Sequence, residues 1–156
     1  MKIVTTTLTL FCLAGAQATT SPESNVTITH AGSQPVTQGT PENFTGSVTV
    51  DSRFQRQSPA RTAGGIVTFH AGARSAWHSH PLGQTLLVTS GSGWVQEWGH
   101  PAQRMTKGDT VWIPPNVKHW HGALNSEAMT HIAIAEFLEG KTVTWLEKVS
   151  DSEYPH

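Results

Sequence analysis

Short runs of β-branched and other apolar residues, separated by Gly, Pro, Asn and Asp, recur along the chain from residue 44 onward. Runs of this length between turn-forming residues are typical of the strands of sandwiches and barrels. The pattern predicts strands at residues 47–50, 65–69, 75–80, 85–89, 94–98, 110–113, 118–121 and 129–137. Apart from one helical turn predicted near residues 149–154, no stretch has a helical stripe. The expected fold class is all-β.

The chain before residue 44 has a different pattern. Residues 19–43 are rich in Thr, Ser, Pro and Gly, which predicts a flexible leader with one edge strand near residues 26–30. A length of 156 residues leaves room for one hydrophobic core. We therefore expect a single domain over residues 44–156 that holds a single site.

Residues 1–18 have the pattern of a secretory signal peptide. Lys2 gives a positive start, residues 3–14 are mostly apolar, and the tripeptide 16–18 is a small-x-small cleavage site. The apolar run is too short to span a bilayer. Cleavage near Ala18 predicts an exported protein, periplasmic or secreted, without a membrane anchor. It would also remove Cys12, the only cysteine, so any metal ligands must be nitrogen or oxygen atoms.

The charge of the chain excludes several classes of partner. Charged residues are 13% of the sequence and the formal net charge is -1. A chain with so little basic charge lacks the field that attracts nucleic acid or an anionic membrane surface. A small-molecule substrate is the remaining expectation. The nine histidines stand out against this low charge and indicate a site.

Two histidine pairs have the spacing of side chains that share one face of a strand. His78 and His80 are two residues apart, and His119 and His121 repeat the arrangement on a later run. Gln84 opens the run between them. Imidazoles held on neighbouring strands are suitable ligands for a divalent ion, which binds neutral nitrogens at about 2.0–2.2 Å. The alternative is that the histidines are surface or core residues and that Gln84 makes a turn hydrogen bond.

The spacing of these residues resembles the two sequence motifs of the cupin superfamily. The first motif runs from Gly72 through His78, His80 and Gln84 to Gly91, and the second runs from Gly108 through Pro114 to His119. Gln84 stands where the family usually has Glu. The resemblance covers residues 44–146 and implies a double-stranded β-helix, or jelly-roll barrel, with one divalent metal ion bound inside by His78, His80, Gln84 and His119.

The donors in this implied set are all neutral. The ion would therefore keep its full double charge and act as a stronger Lewis acid than a glutamate-ligated ion. Nitrogen and oxygen donors suit Mn²⁺, Fe²⁺, Ni²⁺ or Zn²⁺. The resemblance favours Mn²⁺ among them.

Two further histidines are candidates for proton transfer beside the metal, because an imidazole titrates near neutral pH. His121 shares a face with His119. His131 shares a face with Ala133 and Ala135, whose small side chains would leave cavity space. The alternatives are that His121 is an ordinary wall residue and that His131 faces outward, with residues 132 and 134 toward the interior.

A closer similarity exists within the superfamily. Residues 77–86, 118–123 and 129–131 resemble the small bacterial cupins that include manganese-dependent hydroxynitrile lyases. These enzymes interconvert a cyanohydrin, such as (R)-mandelonitrile, with an aldehyde and hydrogen cyanide. The resemblance implies a metal-dependent lyase with His121 and His131 as catalytic residues. A cupin dioxygenase similar to quercetinases and a non-catalytic periplasmic cupin that binds a metal or small ligand are the alternatives. Cupins of this size commonly associate, so we expect a homodimer or homotetramer.

Overall fold

The computed structural model of the protein describes residues 26–54 and 58–155. The predicted signal peptide lies outside these ranges. Within them the chain forms no helix and twelve strands: β1 (Val36–Gln38), β2 (Phe44–Thr45), β3 (Val48–Phe54), β4 (Thr62–Phe69), β5 (Arg74–Ser75), β6 (His78–Ser79), β7 (Gln84–Glu97), β8 (Gln103–Thr106), β9 (Thr110–Ile113), β10 (His119–Ala123), β11 (Met129–Glu136) and β12 (Thr144–Trp145). The prediction of an all-β fold is confirmed.

The strands form one curled antiparallel sheet whose two halves share β7. The order along the main path is β1-β3-β4-β11-β7-β10-β5-β2. The first half of β7 pairs with β11 and β9, and the second half pairs with β10 and β8. The short strands β6 and β12 extend the edge beyond β10. The sheet thus folds over on itself and encloses an interior between its halves.

The interior follows the period-two pattern of the strands. Along the first half of β7, Gln84, Leu86 and Val88 are buried, because alternate residues of a strand share one face. The central apolar cluster consists of Val48, Phe69, Ala73, Leu86, Val88, Met105, Ile113, Ala123 and Met129. A second cluster is formed by Trp77, Trp120, Val149 and Tyr154, where the C-terminal segment packs against the sheet.

Two predictions near the ends of the described chain are wrong. Residues 26–30 form no strand. The strand of the leader is β1, which begins at Val36, ten residues later than expected, and pairs with β3. Residues 149–154 form a turn, in which the Glu153 and Tyr154 amides both donate to the Ser150 carbonyl, and not a helix. In the described ranges there is no helix of the length and hydropathy that a membrane span requires.

The predicted strand at residues 75–80 is divided into β5 and β6. Gly122 pairs with Arg74, and His119 pairs with His78. Three residue steps along β10 therefore lie opposite four residue steps along this segment. The extra residue forms a bulge at Ala76 and Trp77. The Ala76 amide donates to the Asn43 carbonyl, and the Trp77 amide donates to the Glu147 carbonyl. Conversely, the runs at residues 85–89 and 94–98 are parts of the single strand β7. The strands β2, β8 and β12 were not predicted.

Gly91 lies inside β7, at the point where this strand passes from one half of the sheet to the other. Its φ is 67°. A Cβ atom at this position would lie 1.8 Å from the Ala128 carbonyl oxygen. The close approach of the two backbones therefore requires glycine.

The substitution Gly91→Ala is expected to lower the free energy of unfolding by more than about 3 kcal/mol, because the strain of positive φ and the overlap with Ala128 add. Urea denaturation measures the change. Gly99→Ala is the matched control, since Gly99 also has positive φ (82°) but nothing within 4 Å of its Cβ position. It should cost about 1 kcal/mol. Equal losses in the two variants would contradict the close-approach argument.

Candidate metal centre and its cavity

Three of the predicted ligand residues lie together inside the fold. His78 lies on β6, His80 follows that strand directly, and His119 opens β10 as the register partner of His78. All three are buried. Their candidate ligand nitrogens lie within 4.8 Å of one another. The structure thus brings together three histidines that could hold a metal ion.

Backbone carbonyl groups fix the orientation of each of these rings. The Nδ1 of His78 bonds to the Ala76 carbonyl at 2.9 Å, that of His80 to the Thr142 carbonyl at 2.6 Å, and that of His119 to the Val117 carbonyl at 2.9 Å. A carbonyl oxygen can only accept, so each Nδ1 carries the proton. The Nε2 of each neutral ring is then a lone-pair donor, as metal-ligating histidines require.

Gln84 is the fourth residue at this cluster. It begins β7 directly after Gly83, whose φ of 81° provides the tight turn from His80. The Gln84 Oε1 lies 3.3 Å from the His119 Nε2. Because His119 already donates through Nδ1, these two atoms both present lone pairs. These four lone-pair donors, none of them acidic, fit a bound divalent cation. The His80 Nε2 is one of them, and it is buried without a hydrogen-bond partner in the described structure.

Burial keeps the histidines of this interior neutral. Desolvation is the main cause of the shift in all five rings and lowers the pKa of His78 and His121 well below the usual value. It lowers the pKa of His119 and of His131 to about 4 and also lowers that of His80. Neighbouring imidazoles lower the pKa of His78 and His121 further. At neutral pH the rings can therefore bind a metal without first losing a proton.

His121 and His131 form a hydrogen-bonded pair beside the three-histidine group. The His131 Nε2 lies 3.2 Å from the His121 Nδ1, and both rings are buried. Phe69 packs against both rings, with centroid distances of 5.5 and 5.7 Å. The His121 and His78 centroids are 5.2 Å apart. The second nitrogens, Nε2 of His121 and Nδ1 of His131, have no hydrogen-bond partner in the described structure.

A cavity of about 350 Å³ adjoins these histidines. It is lined by His78, His80, Gln84, His121 and His131, and otherwise by residues that are mostly small or apolar. His131, Ala133 and Ala135 face it together, so the alternative with residues 132 and 134 toward the interior is wrong. None of the described residues that line it is Asp, Glu, Lys or Arg. The charge of a bound cation would therefore not be compensated by a neighbouring carboxylate.

The segment after β11 contributes residues that the sequence patterns did not indicate. Thr142 supplies the carbonyl that orients His80, and the Trp145 ring packs on His78 with centroids 4.8 Å apart. Phe137 and Val143 also line the cavity. Their positions depend on how the chain returns from β11 to pair β12 with β6, which no local pattern predicts.

The comparisons with known proteins agree with this geometry. Residues 65–135 match the family model described as a cupin domain. The chain is 52% identical over 127 residues to a protein of Granulicella tundricola named (R)-mandelonitrile lyase, and this match covers 81% of the chain and 97% of the relative.

Solved structures show the same fold. A cupin-like protein from Thermotoga maritima has 44% sequence identity and a TM-score of 0.71, with 75% of this chain and 89% of that chain covered. A cupin-2 domain protein from Rhodospirillum rubrum has 16% identity and a TM-score of 0.63, with 81% and 82% covered. The second match concerns the fold alone. Together with the strand order, these similarities confirm the predicted double-stranded β-helix.

Proposed function

The chain belongs to the cupin superfamily, and we propose that it is a metal-dependent lyase that cleaves and forms cyanohydrins of the (R)-mandelonitrile type. The observation that carries the proposal is the 52% identity to an (R)-mandelonitrile lyase across 97% of that relative. The buried three-histidine group beside a mostly apolar cavity supports it. A homologue named as a lyase makes an enzyme the best interpretation of the site.

The ligands in this proposal are His78, His80 and His119 through their Nε2 atoms, with Gln84 as the fourth through its Oε1. The metal is Mn²⁺, one ion per chain. When bound, a divalent cation supplies positive charge that favours the anionic forms of the substrate oxygen and of cyanide. Because all four donors are neutral, this charge is not reduced by the protein.

The proton transfers are assigned to the pair of His121 and His131. Each neutral imidazole has one N–H group and one lone pair, and their mutual hydrogen bond uses one of each. Whichever ring donates, one free nitrogen of the pair can accept a proton and the other can donate one. The pair therefore offers a general base and a general acid at the same time. A shift of the shared proton would then make both rings neutral again, with the roles of acid and base exchanged between them.

In the cleavage direction, one free nitrogen of the pair takes the proton of the cyanohydrin hydroxyl. The oxygen then forms the carbonyl of the aldehyde while the electron pair of the C–CN bond leaves with cyanide. The other free nitrogen gives its proton to cyanide, so the products are the aldehyde and hydrogen cyanide. The mostly apolar lining of the cavity offers the substrate few competing hydrogen-bond partners.

The experiment that tests the proposal measures benzaldehyde release from racemic mandelonitrile by the purified protein after loading with Mn²⁺. We expect release well above the rate of the metal-stripped protein, with (R)-mandelonitrile consumed first. The (S)-enantiomer remaining on chiral chromatography gives the selectivity. A rate equal to that of the stripped protein would overturn the lyase. Oxygen uptake with a flavonol substrate would instead indicate the dioxygenase alternative.

A further inference from the structure

The backbone amide of His121 is bonded by a side chain and not by a backbone carbonyl. In an antiparallel ladder alternate amides of a strand point to opposite neighbours, so every second amide of β10 points away from β7. The Ala123 amide is one of these and donates to the Ala73 carbonyl at 2.9 Å. The next amide on this side belongs to His121, and it donates to the Ser75 Oγ at 3.2 Å. A serine hydroxyl thus completes the ladder at His121.

The bulge between β5 and β6 explains this replacement. Gly122 pairs with Arg74, so in a continuous ladder His121 would lie opposite Ser75, and its amide would donate to the Ser75 carbonyl. The bulge ends this register, and the pairing of β10 resumes on β6 one residue out of step. The His121 amide therefore lies where the two registers meet, and the Ser75 Oγ takes the place of the carbonyl.

Ser75 is placed to act on His121 and not on a molecule in the cavity. It is 1% exposed and is not among the described residues that line the cavity, whereas His121 is. A buried N–H group that loses its acceptor is costly, because water cannot replace the lost bond. We expect loss of the Ser75 hydroxyl to shift the His121 backbone toward another acceptor.

The hydrogen bond between His121 and His131 has little tolerance for such a shift. The His121 Nδ1 and the His131 Nε2 are 3.2 Å apart, which is already at the long end of the range typical of hydrogen bonds. Catalytic groups must be held to within about 0.5 Å of their productive geometry. A displacement of that size at His121 would take its ring out of hydrogen-bonding distance of His131.

We propose that Ser75 is a positioning residue, whose hydroxyl holds His121 at hydrogen-bonding distance from His131. The assignment of these two histidines to proton transfer rests on the lyase function proposed above. The part played by Ser75 rests on the amide bond and the bulge. Ser75 acts on turnover through the His121 backbone, without contact with the substrate.

The substitution Ser75→Ala tests the inference, because it removes the acceptor without adding a larger side chain. In the Mn²⁺-loaded variant we expect kcat for mandelonitrile to fall about tenfold and KM to change less than about threefold, since misplacement of a catalytic group mainly slows the chemical step. Metal content by mass spectrometry should stay at the wild-type value. The carbonyl groups that orient the three ligand rings belong to other residues.

A second measurement does not depend on turnover. Nuclear magnetic resonance of the protein with isotope-labelled histidines, and with Zn²⁺ in place of the paramagnetic Mn²⁺, reports the His121 amide and the ring N–H shared by His121 and His131. The variant His121→Gln identifies both signals by their loss. In Ser75→Ala the amide proton should move upfield as its hydrogen bond is lost. The shared ring proton should exchange with solvent at least about tenfold faster.

Ser92→Ala is the matched control for the loss of a buried hydroxyl. Ser92 is also a buried serine, lies on β7 and is not among the described residues that line the cavity. This variant should keep its turnover and both signals. Ser75→Thr retains a hydroxyl acceptor and should keep at least about a third of the wild-type kcat. If its added methyl group prevents folding, Ser75→Cys takes its place, with a weak acceptor and an intermediate kcat.

The outcomes separate this inference from the lyase. Unchanged resonance signals in Ser75→Ala, or a kcat within about twofold of the wild type, would overturn the positioning role. An equal loss of turnover in Ser92→Ala, or a loss in Ser75→Ala that follows a loss of metal, would also overturn it. Shifted signals in a protein that never turns over mandelonitrile would support the positioning of His121 and overturn the lyase. Turnover with unshifted signals would support the lyase and overturn the inference.

Discussion

The His119→Ala variant is expected to lose its metal and its activity together. His119 is buried, its Nδ1 is held by the Val117 carbonyl, and its Nε2 faces Gln84 Oε1. Loss of even an outer hydrogen-bond partner of a metal ligand typically weakens metal binding 10- to 100-fold. Removal of a ligand should therefore weaken it by more than about 100-fold. Metal content by mass spectrometry of the purified protein should fall from one ion per chain to less than a tenth of that.

His100→Ala is the matched control for this loss. The His100 side chain is 63% exposed and lies near Glu97, away from the three-histidine group. This variant should keep the wild-type metal content. Added imidazole should restore part of the metal content of His119→Ala, since the truncated side chain leaves space beside the other ligands. Full metal content in unsupplemented His119→Ala would mean that the ion is bound elsewhere.

The grouping of His78, His80 and His119 could be predicted because two independent regularities relate these residues. Strand alternation puts residues two apart on one face, and the motif spacing relates the first pair to the later His119. The structure brings the three histidines together through a less regular arrangement than the alternation argument assumed. His80 follows β6 and is not part of it, and the bulge at Ala76 and Trp77 separates β5 from β6.

The strands that the sequence did not reveal have little pattern to find. In β8 only Met105 is buried and its three neighbours are exposed, so no alternation is visible. The two-residue strand β12 is defined only by its pairing with β6. The continuity of β7 was hidden for a different reason. Gly91 and Gly93 look like turn residues in the sequence, whereas the structure uses them where β7 passes close to Ala128 and Gly122.

The surroundings of the three-histidine group could not be predicted, because they come from distant parts of the chain. The carbonyl that orients His80 belongs to Thr142, which is 62 residues away in sequence. Trp145 packs on His78 from the same segment. A sequence pattern indicates which face a residue occupies, but it does not indicate which loop returns to cover that face. The small residues Ala63, Gly65, Ala133 and Ala135 are an intermediate case, since they are visible in the sequence but their register across β4 and β11 is not.

The second large effect is expected from Gln84→Glu, which adds a negative charge next to the ion without changing the length of the side chain. Ligand charge count is a main determinant of cation affinity, so the variant should bind Mn²⁺ about tenfold or more tightly than the wild type in a chelator competition. The added charge also reduces the Lewis acidity of the ion. Turnover of mandelonitrile should consequently fall about tenfold or more, although the metal is held better.

In Gln84→Glu the affinity for Mn²⁺ should rise while the turnover of mandelonitrile falls. This combination distinguishes an effect of ligand charge from an effect of altered ligand geometry. Gln84→Ala removes the Oε1 ligand without adding charge, so it should weaken metal binding and lower turnover together. Urea unfolding is the control for folding. Both variants are folded like the wild type if their unfolding midpoints stay close to that of the metal-free wild type. Weaker Mn²⁺ binding in Gln84→Glu would show that Gln84 does not contact the ion. Tighter binding with unchanged turnover would show that the neutrality of the ligand set, which separates this chain from the usual glutamate-bearing motif, is not what drives its reaction.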